Sequence, residues 1–416
     1  MSFRAEAIRP LFPSLGVPAD DGSLPVFLDN PAGTQVPRSV MEAVTHYYLT
    51  MNANSGGPFA TSRRNDEMVR QTRQRVAEFL NAPSASEIVI GPNMTTLNFS
   101  LSRALASTLS PGDELIVTRM DHDANVSPWT LVARDHELAV KWVDIDTADC
   151  TLDMGSLEEA LSERTRVVAT VHASNAVGGI NPVAQIAGMA KAVGAWHVVD
   201  AVQSAPHVPI DVQEIGCDFL LCSSYKFYGP HLGIMWGRES LLNSLPAYKV
   251  RPAKDIAPNR WENGTPSYET WNGLRACMDY WEQIGRQYGD ADLPQYQGAR
   301  LQMKRAVLAV QDYERVLVAE LIDGLRAIPG VSIAGVVEPD RMGLRVPTVA
   351  MVKDGKSPDE IAAILAAENV YVWSGDYYAV EIMKRLNRPQ GMVRIGIGQY
   401  NTRDEIQRLL NLIELI

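Results

Sequence analysis

The chain has 416 residues, too many for one ordinary core and enough for roughly two or three domains. With 46% hydrophobic and 21% charged residues it has the composition of a folded soluble protein. That excludes disorder, collagen-like repeats and a disulfide-stapled miniprotein. A net charge of −11 argues against a broad nucleic-acid footprint and fits a protein that handles small molecules.

From about residue 66 to residue 237, short apolar runs alternate with helical patterns. A helical pattern over 66–80 precedes apolar runs at 87–90, 114–118 and 139–143. A second helix is expected at 156–161, with Ser156 and Glu159 as a capping box. Further runs lie at 166–172, 196–199, 218–222 and 233–236, and a helical pattern spans 182–193. Most of the runs are rich in Val, Ile or Leu, which suits strands buried on both faces. Strand–helix alternation predicts a mainly parallel sheet covered by helices.

After about residue 247 the texture changes. A loop rich in Pro, Asn and Gly runs to Pro266, followed by long helical patterns at 268–287 and 299–328. Shorter apolar runs follow at 346–352, 370–373 and 392–397. Ser357-Pro358-Asp359-Glu360 and Thr402-Arg403-Asp404-Glu405 each read as a helix start. The expected organisation is an α/β protein with an N-terminal segment, 1–26, that packs with the small domain. A large domain, 27–269, carries the mainly parallel sheet, and a smaller α+β domain occupies 270–416.

The four cysteines, Cys150, Cys217, Cys222 and Cys277, form no CxxC pair, so neither a zinc ribbon nor a dithiol motif is visible. Cys217 and Cys222 flank an apolar run and read as buried free thiols. Few cysteines and a first segment without an apolar core predict a cytoplasmic protein. The longest uncharged stretch, 171–190, contains Asn, Gln, Pro and Gly and would make a poor membrane span. No metal site is assigned.

Unusual polar residues gather beyond the C-terminal ends of the predicted strands: His122, Asn175, Asp200 and Lys226. In an open parallel sheet, ligands bind at that edge. Asp200 reads either as a cap for the next helix or as the ion-pair partner of a protonated ring nitrogen. Lys226, between aromatics in Tyr225-Lys226-Phe227-Tyr228, reads either as a surface lysine or as a desolvated nucleophile toward carbonyls. The hydroxyls of Ser223 and Tyr225, and the turn Asn93-Met94-Thr95-Thr96 opening a helix, could hold a phosphate. An aldehyde cofactor with a ring nitrogen and a phosphate would use all of these groups, which describes pyridoxal 5′-phosphate.

At these residues the chain resembles the class V aminotransferases of the fold-type I group, and within them the cysteine desulfurases. The resemblance covers nearly the whole chain. It is carried by Phe27-Leu28-Asp29-Asn30-Pro31-Ala32-Gly33, by Met120-Asp121-His122-Asp123-Ala124-Asn125 and by His172 to Gly178. Asp200 to Gln203, the lysine segment, Gly264-Thr265-Pro266 and Arg394 complete it. The resemblance implies that Lys226 binds the cofactor covalently and moves the proton. It implies that Asp200 pairs with the ring nitrogen, that His122 stacks on the ring, and that Asn175 and Gln203 address its phenolic oxygen. Thr95, Ser223, Tyr225 and the Met94 backbone would bind the phosphate. Thr265 would reach the phosphate of the other subunit of a homodimer, and Arg394 would clamp the substrate carboxylate.

One segment departs from the family pattern. Desulfurases of this group place a mobile cysteine in an Arg-Thr-Gly-His-His-Cys-Ala stretch, whereas this chain has Trp373-Ser374-Gly375-Asp376-Tyr377-Tyr378-Ala379. Tyr378 replaces the cysteine, and tyrosine cannot carry a persulfide. The expectation is a carbon–sulfur β-lyase for an S-conjugated cysteine or similar amino acid, with Trp373 and Tyr378 on the substrate side. Left open are oxygen-dependent decarboxylation and deamination, transamination or epimerisation, desulfuration through an unmapped thiol such as Cys222, and a scaffold in sulfur transfer.

Overall fold

The computed structural model describes residues 3–416; Met1 and Ser2, at the start of the expected N-terminal segment, lie outside the described residues. The first strand, β1 (Val26–Phe27), stands apart from the main sheet. The main sheet holds β2 (Ile88–Gly91), β3 (Glu114–Thr118), β4 (Ala139–Val143), β5 (Thr165–Val171), β6 (Trp196–Asp200), β7 (Phe219–Ser223) and β8 (Gly233–Gly237). Their spatial order is β2-β8-β7-β6-β5-β3-β4. β3 to β7 run parallel, and β8 runs antiparallel to both of its neighbours.

Each central strand feeds two cores, because successive side chains point to opposite faces. On β7, Leu220 and Cys222 face one core while Phe219 and Leu221 face the other. That is why these strands are apolar at every position rather than at alternate ones. The first core is roofed by the helices Arg38–Thr50, Ala60–Leu80 and Tyr268–Tyr288, and the second by Met94–Ala106 and Ser127–Asp135.

The second sheet comprises β9 (Val331–Ala334), β10 (Thr348–Lys353), β12 (Trp373–Gly375) and β13 (Met392–Gly396), in the order β12-β13-β10-β9 and antiparallel throughout. Between β10 and β12 in the chain lies β11 (Val370–Tyr371), which pairs in parallel with β1. The expected single run at 370–373 is therefore two strands: Val370 and Tyr371 turn to β1, while Trp373 turns to β13. Both predicted helix starts after residue 350 are capping boxes, Ser357 with Glu360 and Thr402 with Glu405. The box expected at Ser156 is displaced. Asp153 caps the helix Met154–Ala160, its carboxylate accepting from the Ser156 N–H at 3.1 Å, and Ser156 lies inside the first turn. A carboxylate three residues earlier reaches the free N–H groups first.

The helix Tyr268–Tyr288 buries Trp271, Tyr280 and Trp281 in the core beside the main sheet. The longer helix Gly298–Ala327 crosses between cores, placing Val307 and Val310 in the first and Leu317, Leu321 and Leu325 against the second sheet. On this packing we propose that the two domains divide within that helix rather than at residue 270. The N-terminal segment touches both: Phe12 meets Tyr228, Tyr280 and Tyr400 edge-on, and Arg9 pairs with Glu405 at 2.7 Å. Trp281 donates through Nε1 to the Phe227 carbonyl at 3.2 Å, directly behind Lys226. Trp281→Ala is expected to lower unfolding stability by roughly 3–5 kcal/mol, read by urea titration. Among the described residues no helix is long and apolar enough to cross a membrane.

Candidate active site

The strand order brings the C-terminal ends of β5, β6 and β7 side by side. Asp200 is the last residue of β6 and Ser223 the last of β7. Lys226 closes the short turn Ser224–Lys226 that follows. Met94 opens the helix Met94–Ala106, whose cap Asn93 accepts from the Thr96 N–H at 2.8 Å. The Met94 N–H donates to Ser223 Oγ at 3.3 Å, fixing that helix end beside β7. Gly233 on β8 permits the approach, since a Cβ there would come within 2.2 Å of the Asn93 backbone.

These groups enclose a cavity of about 390 Å³. Met94, Thr95, His122, Asn175, Asp200, Gln203, Ser223, Tyr225 and Lys226 line it from the large domain. Trp373, Tyr378 and Arg394 line it from the second sheet and its loop. Of the residues singled out in the sequence, Thr96 and Cys222 do not line it, and Thr265 is elsewhere, on an exposed loop after Gly264. The sequence reading missed Asp29, Asp121 and Asp376 as charged groups of this region. It also missed the carbonyls of Pro31 and Ala32, which accept from Lys226 Nζ, the latter at 2.9 Å. The turn from Phe27 to Gly33 holds Asp29, Pro31 and Ala32 and is the sequence signal for all three.

Burial governs the electrostatics. The Asp200 carboxyl is pushed up to about 6 by burial, opposed by the Val202 N–H at 2.9 Å and by the charge of Lys226. Burial and then the Arg394 charge pull Lys226 down to about 7. A lysine in that range is a free amine in a large fraction of molecules at neutral pH. Burial lowers His122 to about 4, helped by the charges of Lys226 and Arg394, so its imidazole is neutral. His122 Nδ1 accepts from the Ala124 N–H at 3.0 Å, which leaves the proton on Nε2. Asp121, fully buried and hydrogen-bonded to Thr118 and Asn125, is raised to about 8, first by burial and also by the charge of Asp200.

Arg394, in β13, donates to the Asn175 carbonyl at 3.0 Å and lies 4.4 Å over the Tyr377 ring. Its Nε and the Asn175 Oδ1 are buried without a partner among the described residues. Such groups cost about 1–3 kcal/mol each unless a ligand meets them. Tyr377 and Tyr378 both have left-handed backbones, with φ of 53° and 57°. Non-glycine residues there cost about 1–2 kcal/mol each. The turn is held by Asn175 Nδ2 donating to the Tyr377 carbonyl at 2.9 Å and by the Asp123 N–H donating to the Tyr378 carbonyl at 2.7 Å. The Tyr377 hydroxyl donates to the Met392 carbonyl. The Tyr378 ring stacks near His122, centroids 5.6 Å apart at 27°.

All four cysteines are free and buried, and none lines the cavity. Burial and the nearby Asp200 charge hold the Cys222 thiol well above its ordinary range. Among the described residues no group of three or more His, Cys, Asp or Glu side chains is disposed to hold a metal ion.

A lysine amine, a buried strand-end carboxylate and a helix N-terminus with hydroxyls on one cavity fit pyridoxal 5′-phosphate: aldehyde, ring nitrogen and phosphate each meet a suitable group. Fold and site together define a fold-type I, pyridoxal-phosphate-dependent enzyme. The pattern of the family described as Aminotransferase class-V matches residues 26–294 and 295–409. The chain belongs to that family.

It is 31% identical to a "Probable cysteine desulfurase" of Synechocystis sp., covering 99% of this chain and 95% of that protein. It is 30% identical to the "Aminotransferase-like protein FGM3" of Gibberella zeae, covering 100% and 99%. Among solved structures it is similar to the apo cysteine desulfurase of Thermococcus onnurineus. The TM-score is 0.87 at 27% identity, with 99% and 97% of the two chains covered. It is also similar to the cysteine desulfurase CsdA of Escherichia coli, with TM-score 0.83 at 25% identity over 100% and 98%.

Proposed function

We propose that this enzyme is a carbon–sulfur β-lyase that cleaves an S-substituted cysteine to a thiol, pyruvate and ammonium. The observation that supports this most is the identity of the residue at the cavity mouth. Tyr378 stands there, and no thiol lines the cavity. The names of the relatives point toward desulfuration of free cysteine, a reaction that needs a mobile thiolate within reach of the substrate sulfur. Cys222, the nearest in sequence to Lys226, is fully buried on β7.

When bound, pyridoxal phosphate withdraws electrons from the substrate α-carbon and so acidifies its proton. In this reading the helix end at Met94, with Thr95, Ser223 and Tyr225, would hold the phosphate. Asp200 would keep a proton on the ring nitrogen, His122 would cover the ring, and Asn175 and Gln203 would meet the phenolic oxygen. Lys226 Nζ would hold the aldehyde carbon and, as a free amine, would take the α-proton of the substrate. Arg394 holds the α-carboxylate. The C–S bond then breaks with its electron pair on sulfur, which takes up a proton and leaves as the thiol. One water converts the remaining three-carbon fragment to pyruvate and ammonium, so the sum is conjugate plus water to thiol, pyruvate and ammonium. The exposed Thr265 would complete the phosphate site of a second subunit in a homodimer. A cytoplasmic setting suits four unpaired thiols.

Purified holoenzyme offered L-cysteine and S-alkyl or S-glycosyl cysteines, in air and without oxygen, tests this directly. Pyruvate plus thiol from the conjugates, independent of oxygen, is the expected result. Sulfide or persulfide from free cysteine would overturn it in favour of a desulfurase. An oxygen-dependent aldehyde with carbon dioxide would overturn it in favour of an oxidative reaction.

Two further outcomes follow from the site. Only the neutral amine of Lys226 attacks an aldehyde, so the rate at which apoenzyme takes up the cofactor should rise with pH through about 7. A rate flat between pH 6 and 8, to be checked by absorbance, would contradict it. Gly233→Ala should weaken cofactor binding about tenfold or more by displacing the helix end at Asn93, measured by reconstitution titration.

A further inference from the structure

The cavity changes character from floor to mouth. Its floor carries a buried cation, Arg394, beside Lys226. Its mouth carries Trp373, Asp376 and Tyr378, all exposed and all lining the same cavity. Trp373 is 52% and Tyr378 71% exposed, although both belong to segments otherwise tied down by hydrogen bonds. The Asp376 carboxylate accepts one hydrogen bond, from the Tyr378 N–H at 3.0 Å, and forms no ion pair among the described residues. Lys384, in the cleft behind Asp376, is engaged by Glu381 at 2.7 Å, and Arg388 lines that cleft and not the cavity.

We infer that this mouth selects substrates that carry an organic cation at the far end of the side chain. The class is a cysteine whose S-substituent ends in an ammonium, guanidinium or similar group. The sulfur in this assignment rests on the β-lyase reading; the charge rests on the cavity alone. A cation between a tryptophan, a tyrosine and an unpaired carboxylate is favoured by the ring quadrupoles and by the opposite charge. An anion at the same place is disfavoured by Asp376. The buried Arg394 draws the α-carboxylate inward, so charge orients the substrate before any chemistry begins.

Binding of L-lysine, L-norleucine and L-2-aminoadipate to holoenzyme tests the charge without any C–S cleavage. Their side chains are similar in length and end in positive, neutral and negative groups. Calorimetry or the change in cofactor absorbance should rank lysine about tenfold tighter than norleucine, with aminoadipate weakest. Asp376→Asn combined with Trp373→Leu should erase the ranking. Equal binding of all three in the unaltered enzyme overturns the inference and leaves the lyase reading standing. Lysine preference without thiol release from S-(2-aminoethyl)-L-cysteine supports the charged mouth and sinks the lyase reading instead. If both hold, S-(2-aminoethyl)-L-cysteine should exceed S-carboxymethyl-L-cysteine in kcat/KM by about tenfold or more.

Discussion

Replacing Lys226 by alanine is expected to abolish turnover while leaving the protein folded. Its Nζ is the one lysine amine on the cavity among the described residues, and both carbonyls that it engages belong to Pro31 and Ala32, which line the same cavity. Loss of a positioned proton-transfer group alone removes about 10²- to 10⁴-fold in rate, and here the covalent attachment goes with it. Lys226→Arg separates charge from chemistry. It keeps the cation but has no neutral form at working pH, so it should be as inactive as the alanine variant. Turnover retained in either protein, followed by pyruvate release, would refute the assignment. The visible absorbance of the purified protein gives a second readout, because a covalently held aldehyde and a loosely bound one absorb differently.

The second large effect is expected at Arg394. The side chain is held on three sides by the Asn175 carbonyl, the Tyr377 ring and the surrounding second sheet, and its Nε is left facing no partner among the described residues. Burial lowers it only to about 10, so it stays charged. Truncating one partner of a buried, hydrogen-bonded charge pair costs about 2–5 kcal/mol, or roughly 30-fold and upward in binding. Arg394→Ala should therefore raise KM by at least that factor with a smaller change in kcat. Arg394→Lys keeps the charge and loses the two-pronged donor, and should fall between the two. A KM unchanged in the alanine variant would move the carboxylate site elsewhere.

How much of this was legible in the sequence differs from element to element. The strands of the main sheet announce themselves as Val- and Ile-rich runs because both of their faces are buried. The direction of β8 does not show in its residues, since an apolar run looks the same either way. The nine residues between Ser223 and Gly233 do bear on it, being too few for a parallel crossover. The split at 370–373 was hidden because strand partners so far away in sequence leave no local mark. Polar residues at strand ends located the cavity, and the family resemblance named their roles. Asp29, Asp121 and Asp376 escaped notice because a carboxylate is ordinary in sequence and becomes unusual only once its burial or its neighbours are known. The left-handed pair Tyr377 and Tyr378 could not be foreseen either, as neither residue favours that backbone.

The parallel pairing of β1 with β11 joins Val26 to Val370, and an isolated bridge joins Asp29 to Gly396. During synthesis the first partner of each pair is made early and the second only when nearly the whole chain has been translated. The main sheet, complete by Gly237, can form long before that. The second sheet cannot close, nor can Arg394 and the paired tyrosines reach the cavity, until the last tenth or so of the chain is available. A chain cut short before β13 is therefore expected to lack Arg394 and with it the proposed carboxylate clamp.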